Sequence, residues 1–421
     1  MGDENTHCGE PIRRAERPGR DGDLPPRVAF FTDCFHEVNG VALTSRELDR
    51  FAQTRGLQFF SVHAGPRTKV ETTGRHTMVE LKRSIVSVPL DAGMHFDALA
   101  WRHFARVKKE LLRFQPDLIH ITGPGDCGML GAFLAWHLRI PMVASWHTNL
   151  HEFGARRLER VLGVVIPDRW AMKAGVAAER WMLKLLKIFY GFAKVLLAPN
   201  PELIAMLKQG TGKPTFLMQR GVDTDLYSPK RRSRADDVFT IGYVGRLSPE
   251  KNVRVLADIE RHLESLGLSR FRIAIVGQGS QRGWLERNVK RAHFTGVLKG
   301  EPLAEAYANM DVFAFPSETD TFGNVVQEAL ASGLPTVVAS GGGPKFLIEP
   351  GVSGFVAHDA AAFGAAIASL MREPALQKKM ARAARAQALG TTWDAVFQKV
   401  YQAYGTVSAS IITTDASRTR G

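Results

Sequence analysis

Two cationic side chains follow an apolar run in the second half of the chain. The run, residues 239–244, is followed at once by Gly245 and Arg246, and Lys251 comes five residues after Arg246. Glycine lets a backbone approach a ligand closely, and both cations neutralise phosphate oxygens. Pro249 is favoured in the first turn of a helix, whose unpaired N–H groups bind anions. The segment predicts either a diphosphate site or a solvated basic turn.

Two carboxylates follow another apolar run, residues 312–315. Asp320 and Glu328 are eight residues apart. That is about two turns if the stretch between them is a regular helix, so both side chains would then lie on one face. Carboxylate oxygens accept hydrogen bonds from sugar and ribose hydroxyls. The alternative is an acid that stabilises a helix N-terminus, followed by a surface glutamate.

Two patterns raise the question of a metal. His147 ends a short apolar run, and His151 lies four residues later, a spacing that suits two ligands on one helix face. No third ligand accompanies them, and a buried core histidine is the plainer alternative. Asp223 and Asp225 form a D-x-D, which holds a metal on the diphosphate in some transferases. Because the two cations described above already supply positive charge, we predict no metal.

The elements that must position these residues share one pattern. Short continuous apolar runs, each ending in glycine, proline or a polar residue, alternate with helical patterns in both halves of the chain. Such strands are typical of parallel sheets covered by helices on both faces. Ligands of these sheets bind beyond the carboxyl ends of the strands, where the candidate residues lie. The sequence predicts an α/β protein with two doubly wound, Rossmann-like domains.

Composition narrows the class of protein. The 421 residues are 45% hydrophobic and 23% charged, which excludes a disordered chain, and no apolar run approaches the ~18 residues of a spanning helix. Three cysteines without a C-x-x-C exclude a disulfide scaffold and indicate a reducing, cytoplasmic compartment. The formal net charge of +13 favours anionic partners: phosphates, nucleic acid or an anionic membrane surface.

The segment 156–194 concentrates positive charge. It holds nine Lys or Arg against three acids, interleaved with large apolar side chains. This pattern predicts basic amphipathic helices, which either dock on an anionic membrane or pack in the core with a solvated basic face. Nothing in the chain matches an aromatic and basic stacking platform, so we predict no nucleic-acid partner.

The combination of motifs resembles one family. The run Gly-Arg-Leu-Ser-Pro-Glu-Lys at 245–251 and the run Asp-Thr-Phe-Gly-Asn-Val-Val-Gln-Glu-Ala-Leu-Ala-Ser-Gly-Leu-Pro at 320–335 together resemble the GT4 glycosyltransferases. Shorter matches are Asn-Gly-Val at 39–41, His-Thr-Asn at 147–149 and Arg-Gly-Val-Asp at 220–223. The resemblance runs from residue 27 to about residue 405, and is strongest to bacterial α-mannosyltransferase and sulfoquinovosyltransferase branches. It implies a GT-B fold: two Rossmann-like domains facing an interdomain cleft.

The resemblance also implies roles for single residues. Arg246 and Lys251 would hold the diphosphate of the donor, and Glu328, the second acid of an E-x7-E motif, would bind the ribose hydroxyls. Asp320 stands where most of the family has Glu and would contact the donor sugar. His147 would face the reacting sugar. These assignments make His147, Arg246, Lys251 and Asp320 the candidate catalytic residues.

Backbone supplies much of the implied site for the donor nucleotide sugar. Phe322, Gly323 and Asn324 would face the sugar and phosphates, and Asn39 with Gly40 replaces the glycine-rich turn of many relatives. Gly40 would approach the diphosphate from the first domain. The donor-binding candidates are Asn39, Gly40, Gly245, Phe322, Gly323, Asn324 and Glu328.

Composition and loop pattern predict the tails and the domain boundary, and the resemblance implies the role of the last helix. We expect a disordered tail at 1–26, an acceptor-side domain at 27–219 and a nucleotide-sugar domain at 220–390. A helix at 391–405 would cross back to the first domain, and residues 406–421 would form a second disordered tail.

The implied activity is retaining transfer of a hexose, first of all mannose from GDP-mannose, to a lipid or glycan hydroxyl. The nucleotide sugar is a co-substrate, and no further cofactor or metal is expected. The alternatives are a UDP-sugar-dependent glycolipid synthase of the same fold and a catalytically inactive nucleotide-sugar-binding protein, since Asp320 departs from the family's Glu. We expect a cytoplasmic protein, with docking on the inner face of the membrane left open.

Overall fold

The computed structural model describes residues 24–37, 39–91, 94–97, 99–147 and 168–418. The chain divides into two compact units. The first unit comprises Met1–Met218 and Phe397–Gly421, and the second comprises Gln219–Val396. Most of the predicted N-terminal tail, 1–23, lies outside the described residues.

The first unit is built on an eight-stranded sheet in the order β10-β9-β8-β7-β1-β2-β4-β3. All neighbours pair in parallel except β3, which runs antiparallel to β4. A separate antiparallel pair is formed by β5 and β6. The strands are β1 Val28–Thr32, β2 Phe59–Gly65, β3 Lys69–Thr73, β4 His76–Lys82, β5 Val88–Asp91, β6 Met94–Phe96, β7 Leu118–Ile121, β8 Met142–Ser145, β9 Val195–Ala198 and β10 Thr215–Leu217.

Among the described residues, five helices of the first unit connect these strands. Central strands such as β1 and β7 are buried along their whole length, as expected of a parallel sheet with both faces covered. A short 3₁₀ turn spans Ala100–His103. The helices are α1 Gly40–Thr54, α2 Phe104–Phe114, α3 Asp126–His137, α4 Asp168–Gly191 and α5 Pro201–Thr211.

The second unit holds a six-stranded, wholly parallel sheet in the order β13-β12-β11-β14-β15-β16. Its strands are β11 Phe239–Val244, β12 Phe271–Val276, β13 Ala292–Gly296, β14 Val312–Phe315, β15 Thr336–Ala339 and β16 Gly354–Ala357. Its helices are α6 Val255–Ser265, α7 Arg282–Asn288, α8 Gly300–Ala308, α9 Asn324–Ala331, α10 Ala360–Arg372 and α11 Pro374–Leu389. Three 3₁₀ turns span Pro229–Arg231, Pro249–Lys251 and Pro344–Leu347.

Each sheet reverses its strand order once in a way that opens a ligand crevice. In the first unit β1 is flanked by β2 and by β7, and in the second unit β11 is flanked by β12 and by β14. Loops leaving the carboxyl ends of two strands at such a switch point diverge to opposite faces of the sheet. The crevices at β1 with β7 and at β11 with β14 are therefore the places where each sheet is prepared to bind a ligand.

The last helix, α12, spans Trp393–Arg418, so the predicted disordered tail at 406–421 is wrong for residues 406–418. Its buried side chains Phe397, Val400, Tyr404 and Val407 recur at helical spacing, and the stripe passes the predicted end of the helix. From Phe397 onward the helix belongs to the first unit, where the Phe397 ring packs on a phenylalanine of α1 at 5.6 Å. The polar composition after residue 405 therefore does not end the helix.

Candidate active site

The central feature of the second unit is an ion pair at its switch point. Lys251 follows β11 and Asp320 follows β14, two strands that are neighbours in the sheet. The Nζ atom of Lys251 donates to both carboxylate oxygens of Asp320, at 2.7 and 2.8 Å. The side chains are 13% and 24% exposed, so the pair is shielded but still open to solvent. The structure thus brings together two of the four catalytic candidates.

Arg246 stands beside this pair in sequence but is held differently. Gly245 leaves β11 with a φ of +154°, and the hydroxyl of Tyr243 donates to the Arg246 carbonyl at 2.9 Å. The guanidinium is half-exposed, and its ion pair with Glu250 is long, at 3.9 Å. The backbone of Arg246 is therefore fixed while its charge is exposed enough to meet an anionic ligand.

The predicted helix start at Pro249 is wrong. Pro249–Lys251 form a single 3₁₀ turn, and Asn252 then adopts a left-handed conformation with φ +51°. That conformation interrupts a helix, so α6 begins only at Val255. The short turn, rather than the first turn of a helix, positions Lys251.

The assumption of a regular helix between the two candidate carboxylates is also wrong. Helix α9 begins at Asn324, and Gly323 before it has a φ of +103°, so Asp320 lies in the loop ahead of the helix. The carbonyl of Asp320 accepts a hydrogen bond from the backbone N–H of Gly343 at 2.7 Å. The glycine loop after β15 thus holds the backbone of Asp320, while Glu328 is carried separately by α9.

Glu328 is held by two tyrosines. The hydroxyl of Tyr307 donates to its Oε2 atom at 2.9 Å, and Tyr227 also hydrogen-bonds to the carboxylate. Burial raises the pKa of Glu328 to about 7, against the lowering by these two hydrogen bonds. The carboxylate therefore changes charge in the physiological range and is fixed in orientation.

Arg220, which lies in the 220–223 motif but has no role predicted from the sequence, contacts the start of α9. Its Nη1 atom donates to Oδ1 of Asn324 at 2.9 Å, and its guanidinium lies 5.6 Å from the centre of the buried Phe322 ring. Its Nε atom is buried and has no hydrogen-bond partner among the described residues. Burial lowers the pKa of Arg220 to about 10, against the charge of Asp320, so the group stays protonated.

Arg220 therefore places a third positive charge at the start of α9. Its signal in the sequence was the Arg-Gly-Val-Asp match at 220–223. Only the fold shows that Arg220 lies against Phe322 and Asn324.

The first unit carries the remaining candidates at the carboxyl ends of its strands. Asn39 caps α1 after β1, with its Oδ1 atom accepting the N–H of Ala42 at 2.9 Å, and Gly40 is the first residue of that helix. His147 lies two residues after β8 and is buried, with Nε2 2.8 Å from Oγ of Ser145. The metal alternative for His147 required His151, which lies outside the described residues.

The D-x-D motif forms a turn. The Oδ1 atom of Asp223 accepts the backbone N–H groups of Asp225 and Leu226, at 3.0 and 2.9 Å. This is the turn-capping arrangement that aspartate commonly adopts. Asp223 thus has a structural task that explains its presence without a ligand.

A buried carboxyl joins two strand ends in the first unit. Asp33, after β1, accepts the backbone N–H groups of Gly125 and Gly128 at 3.2 and 3.0 Å. Burial, and next the neighbouring Asp126, raise the pKa of Asp33 to about 7, against the lowering by the backbone hydrogen bonds. The contact ties β1 to the start of α3. No sequence motif that we considered pointed to it.

Within the described part of the first unit, two groups of side chains place possible metal ligands within 4.8 Å of one another. In one of them Nε2 of His36 lies 3.3 Å from Oε2 of Glu80, a direct contact that accounts for their proximity. Neither group includes a candidate catalytic residue. The groups are His36 with His63 and Glu80, and Asp33 with Asp126 and Cys127.

Two family models match the chain, one largely in each of the two units. A family model described as Glycosyltransferase Family 4 matches residues 38–226, and one described as Glycosyl transferases group 1 matches residues 238–373. A GDP-mannose-dependent alpha-mannosyltransferase of Corynebacterium glutamicum is 30% identical over 91% of this chain and 90% of its own. A protein of the same description from Mycobacterium tuberculosis is 33% identical over 72% and 76%.

The fold has solved counterparts. Sucrose-phosphate synthase from Thermosynechococcus elongatus aligns with a TM-score of 0.68 over 91% of this chain and 99% of its own, at 19% identity. That likeness supports the fold, and the curated relatives support the family. The chain belongs to the GT4 glycosyltransferases and has the GT-B fold.

Proposed function

We propose that this glycosyltransferase moves a hexose, mannose from GDP-mannose in the first instance, to a hydroxyl of a lipid or glycan with retention of anomeric configuration. The observation that carries the proposal is the Lys251–Asp320 pair, with Arg246 nearby in sequence, at the switch point of the second sheet. The mannose assignment draws on relatives described as GDP-mannose-dependent alpha-mannosyltransferases.

The reaction breaks the bond between the anomeric carbon and the diphosphate. Negative charge grows on the leaving diphosphate while positive charge grows on the sugar ring. Lys251 has three N–H bonds, of which Asp320 accepts two, so the third remains to reach a phosphate oxygen. Arg246 supplies a second cation and five further donors. Cations fixed before the charge develops stabilise the transition state more than the ground state.

The same cations support metal-independent catalysis. In transferases that use a metal, the ion neutralises the diphosphate; here Lys251, Arg246 and the buried Arg220 offer three positive charges from one unit. We therefore propose that these three side chains take the place of a divalent ion at the diphosphate.

Asp320 and His147 act on the sugar in this proposal. Asp320 is one methylene shorter than the glutamate of most relatives, and its bidentate contact with Lys251 fixes where its oxygens lie. Retention without a covalent nucleophile follows if the leaving phosphate accepts the proton of the acceptor hydroxyl, with bond making and breaking on one face of the sugar.

The acceptor is assigned to a cavity of about 290 Å³ in the first unit. Gly65 and Lys82, which end β2 and β4, contribute to its wall, as do His36 and Arg83. A cavity beyond the carboxyl ends of parallel strands is where an α/β sheet binds its ligand.

Docking on a membrane would bring a lipid acceptor to this unit. Helix α4 exposes Trp181, Leu185 and Ile188 at helical spacing, with Lys184 and Lys187 interleaved. Apolar side chains next to lysines suit the interface of an anionic bilayer. None of the described helices is long and apolar enough to cross one. We therefore propose peripheral docking through α4.

Replacing Arg246 or Lys251 by Ala is expected to lower kcat about a hundredfold, because one preorganised charge commonly contributes about 3 kcal/mol to the transition state. The measurement is release of free nucleotide from GDP-mannose and from UDP-hexoses, with and without a lipid or glycan acceptor. Arg287→Ala, which removes an exposed arginine on α7, is the matched control and should leave kcat unchanged.

Normal turnover in either variant would remove that residue from the mechanism. Wild-type protein that binds a nucleotide sugar without acceptor-dependent release would instead be a catalytically inactive binding protein. Preference for a UDP-hexose would reassign the donor and leave the class of reaction intact.

The raised pKa of Glu328 predicts that donor binding weakens in acid. Above about pH 7 the carboxylate accepts ribose hydroxyls; below that pH the protonated form loses acceptor capacity. The affinity for GDP-mannose should therefore fall between about pH 8 and about pH 6, by up to about tenfold for each pH unit below the pKa. GDP-mannose suits this titration because its diphosphate is esterified at both ends and keeps its charge over this range.

The control for this titration is Glu328→Gln, which should bind more weakly at high pH and lose the pH dependence. A wild-type affinity that does not change with pH, or an unchanged slope in the variant, would exclude ribose binding by Glu328.

The proposed docking surface predicts salt-sensitive membrane binding. The protein should sediment with anionic liposomes at low salt and be released at high salt, because screening weakens attraction to surface charge. The double variant Leu185→Ser with Ile188→Ser should lose most of this binding, whereas Leu389→Ser, an equally exposed leucine of the second unit, should retain it. Absence of wild-type binding at low salt would refute docking.

A further inference from the structure

Four side chains of the first unit form a continuous buried chain of hydrogen bonds that ends at His147. The hydroxyl of Tyr404, on α12, lies 2.6 Å from Nδ1 of His120. On the other side of that ring, Nε2 lies 2.9 Å from Oγ of Ser145, and Oγ lies 2.8 Å from Nε2 of His147. All four side chains are less than a tenth exposed. This chain of hydrogen bonds, called the relay below, joins residues of α12, β7, β8 and the loop after β8.

The proton of Tyr404 fixes the direction of this relay. Its hydroxyl has one hydrogen-bond partner among the described residues, Nδ1 of His120. If it accepted from that nitrogen, its own proton would be buried without an acceptor, at a cost comparable to a lost hydrogen bond. Tyr404 therefore donates to Nδ1. His120 is neutral, because burial lowers its pKa to about 3, so its single proton lies on Nε2 and is donated to Ser145.

Ser145 then has one proton to give and two acceptors within reach. Its Oγ atom lies 2.8 Å from Nε2 of His147 and 3.4 Å from the carbonyl oxygen of Ile121. Strong O–H···O hydrogen bonds are shorter than about 3.0 Å, so the carbonyl is a poor competitor. The hydroxyl donates to His147, whose Nε2 must then be unprotonated.

We propose that Tyr404, acting through His120 and Ser145, is a positioning residue that holds His147 as the neutral tautomer with its proton on Nδ1. This tautomer makes Nδ1 the hydrogen-bond donor of His147 and keeps Nε2 occupied by the protein. The catalytic consequence rests on the function proposed above, in which His147 faces the reacting sugar. The tautomer itself does not, and it can be measured in the free enzyme.

Tyr404 controls this proton from a distance because His120 and Ser145, which lie between it and His147, each pass on the donor or acceptor role that their neighbour sets. Without the Tyr404 hydroxyl, Nδ1 of His120 has no donor, and His120 is free to take its proton on Nδ1 instead. Ser145 is then free to donate to Nε2 of His120 and to accept from His147, which reverses the His147 tautomer. Through the relay, the hydroxyl of Tyr404 on α12 thus determines which ring nitrogen of His147 carries the proton.

The chain offers a matched control on the same helix. Tyr401 lies one turn before Tyr404, and their rings are in contact at 5.1 Å between centroids. The hydroxyl of Tyr401 is buried but has no hydrogen-bond partner among the described residues. Tyr401→Phe therefore removes a similar hydroxyl from the same helix without touching the relay.

The direct test is nitrogen NMR of full-length protein labelled with ¹⁵N-histidine, with the His147 signals assigned by comparison with His147→Gln. In the wild type and in Tyr401→Phe, Nδ1 of His147 should show a protonated nitrogen shift and Nε2 an unprotonated one. In Tyr404→Phe and Ser145→Ala the two shifts should move toward a mixed or reversed tautomer. A protonated Nε2 in the wild type, or a Tyr404→Phe spectrum identical to that of Tyr401→Phe, would overturn the proposal.

Kinetic measurements test the catalytic role of His147 separately from its tautomer. Tyr404→Phe should lower kcat about tenfold with little change in the KM for the donor, whereas Tyr401→Phe should match the wild type. If the tautomer changes as expected while kcat does not, the relay stands and the catalytic role of His147 fails. If neither changes, the relay itself is refuted.

Discussion

The bidentate contact between Lys251 and Asp320 is the interaction on which the proposed donor site depends. A partly buried ion pair contributes little net stability, since desolvation offsets much of the attraction. The pair lies at the carboxyl ends of β11 and β14, where such sheets bind ligands, so a role in ligand binding explains it better than a role in stability. In the proposed mechanism the aspartate fixes the ammonium group of Lys251, which keeps one N–H bond for a phosphate oxygen of the nucleotide sugar.

The surrounding structure holds the two partners of this pair rigidly. The 3₁₀ turn at Pro249–Lys251 sets the lysine, and the N–H of Gly343 holds the backbone of Asp320. Arg220 braces the start of α9 through Asn324, and that helix carries Glu328 against two tyrosines. Three separate loops and one helix therefore hold in place the residues that we propose bind the donor nucleotide sugar, as preorganisation requires. The first unit does the same for His147 through the chain of hydrogen bonds that begins at Tyr404.

The sequence predicted the two α/β domains and the strand ends that carry the candidate residues, because glycine and apolar runs mark strand ends locally. The local sequence pattern mispredicted two helix starts, because in each case the backbone conformation of a single residue decides where the helix begins. Asn252 and Gly323, both with positive φ, break the helices assumed at Pro249 and between Asp320 and Glu328. The chain of hydrogen bonds from Tyr404 to His147 was invisible in sequence, since His120 and Tyr404 are 284 positions apart and only the fold joins them.

In the proposed mechanism protein cations, rather than a divalent metal, neutralise the diphosphate of the nucleotide sugar. Calorimetric titration of GDP-mannose into metal-stripped protein, in EDTA and again in excess Mg²⁺, tests it most directly. We predict the same dissociation constant in both buffers and a much larger one for Lys251→Ala. Binding that disappears in EDTA and returns with Mg²⁺ would contradict it.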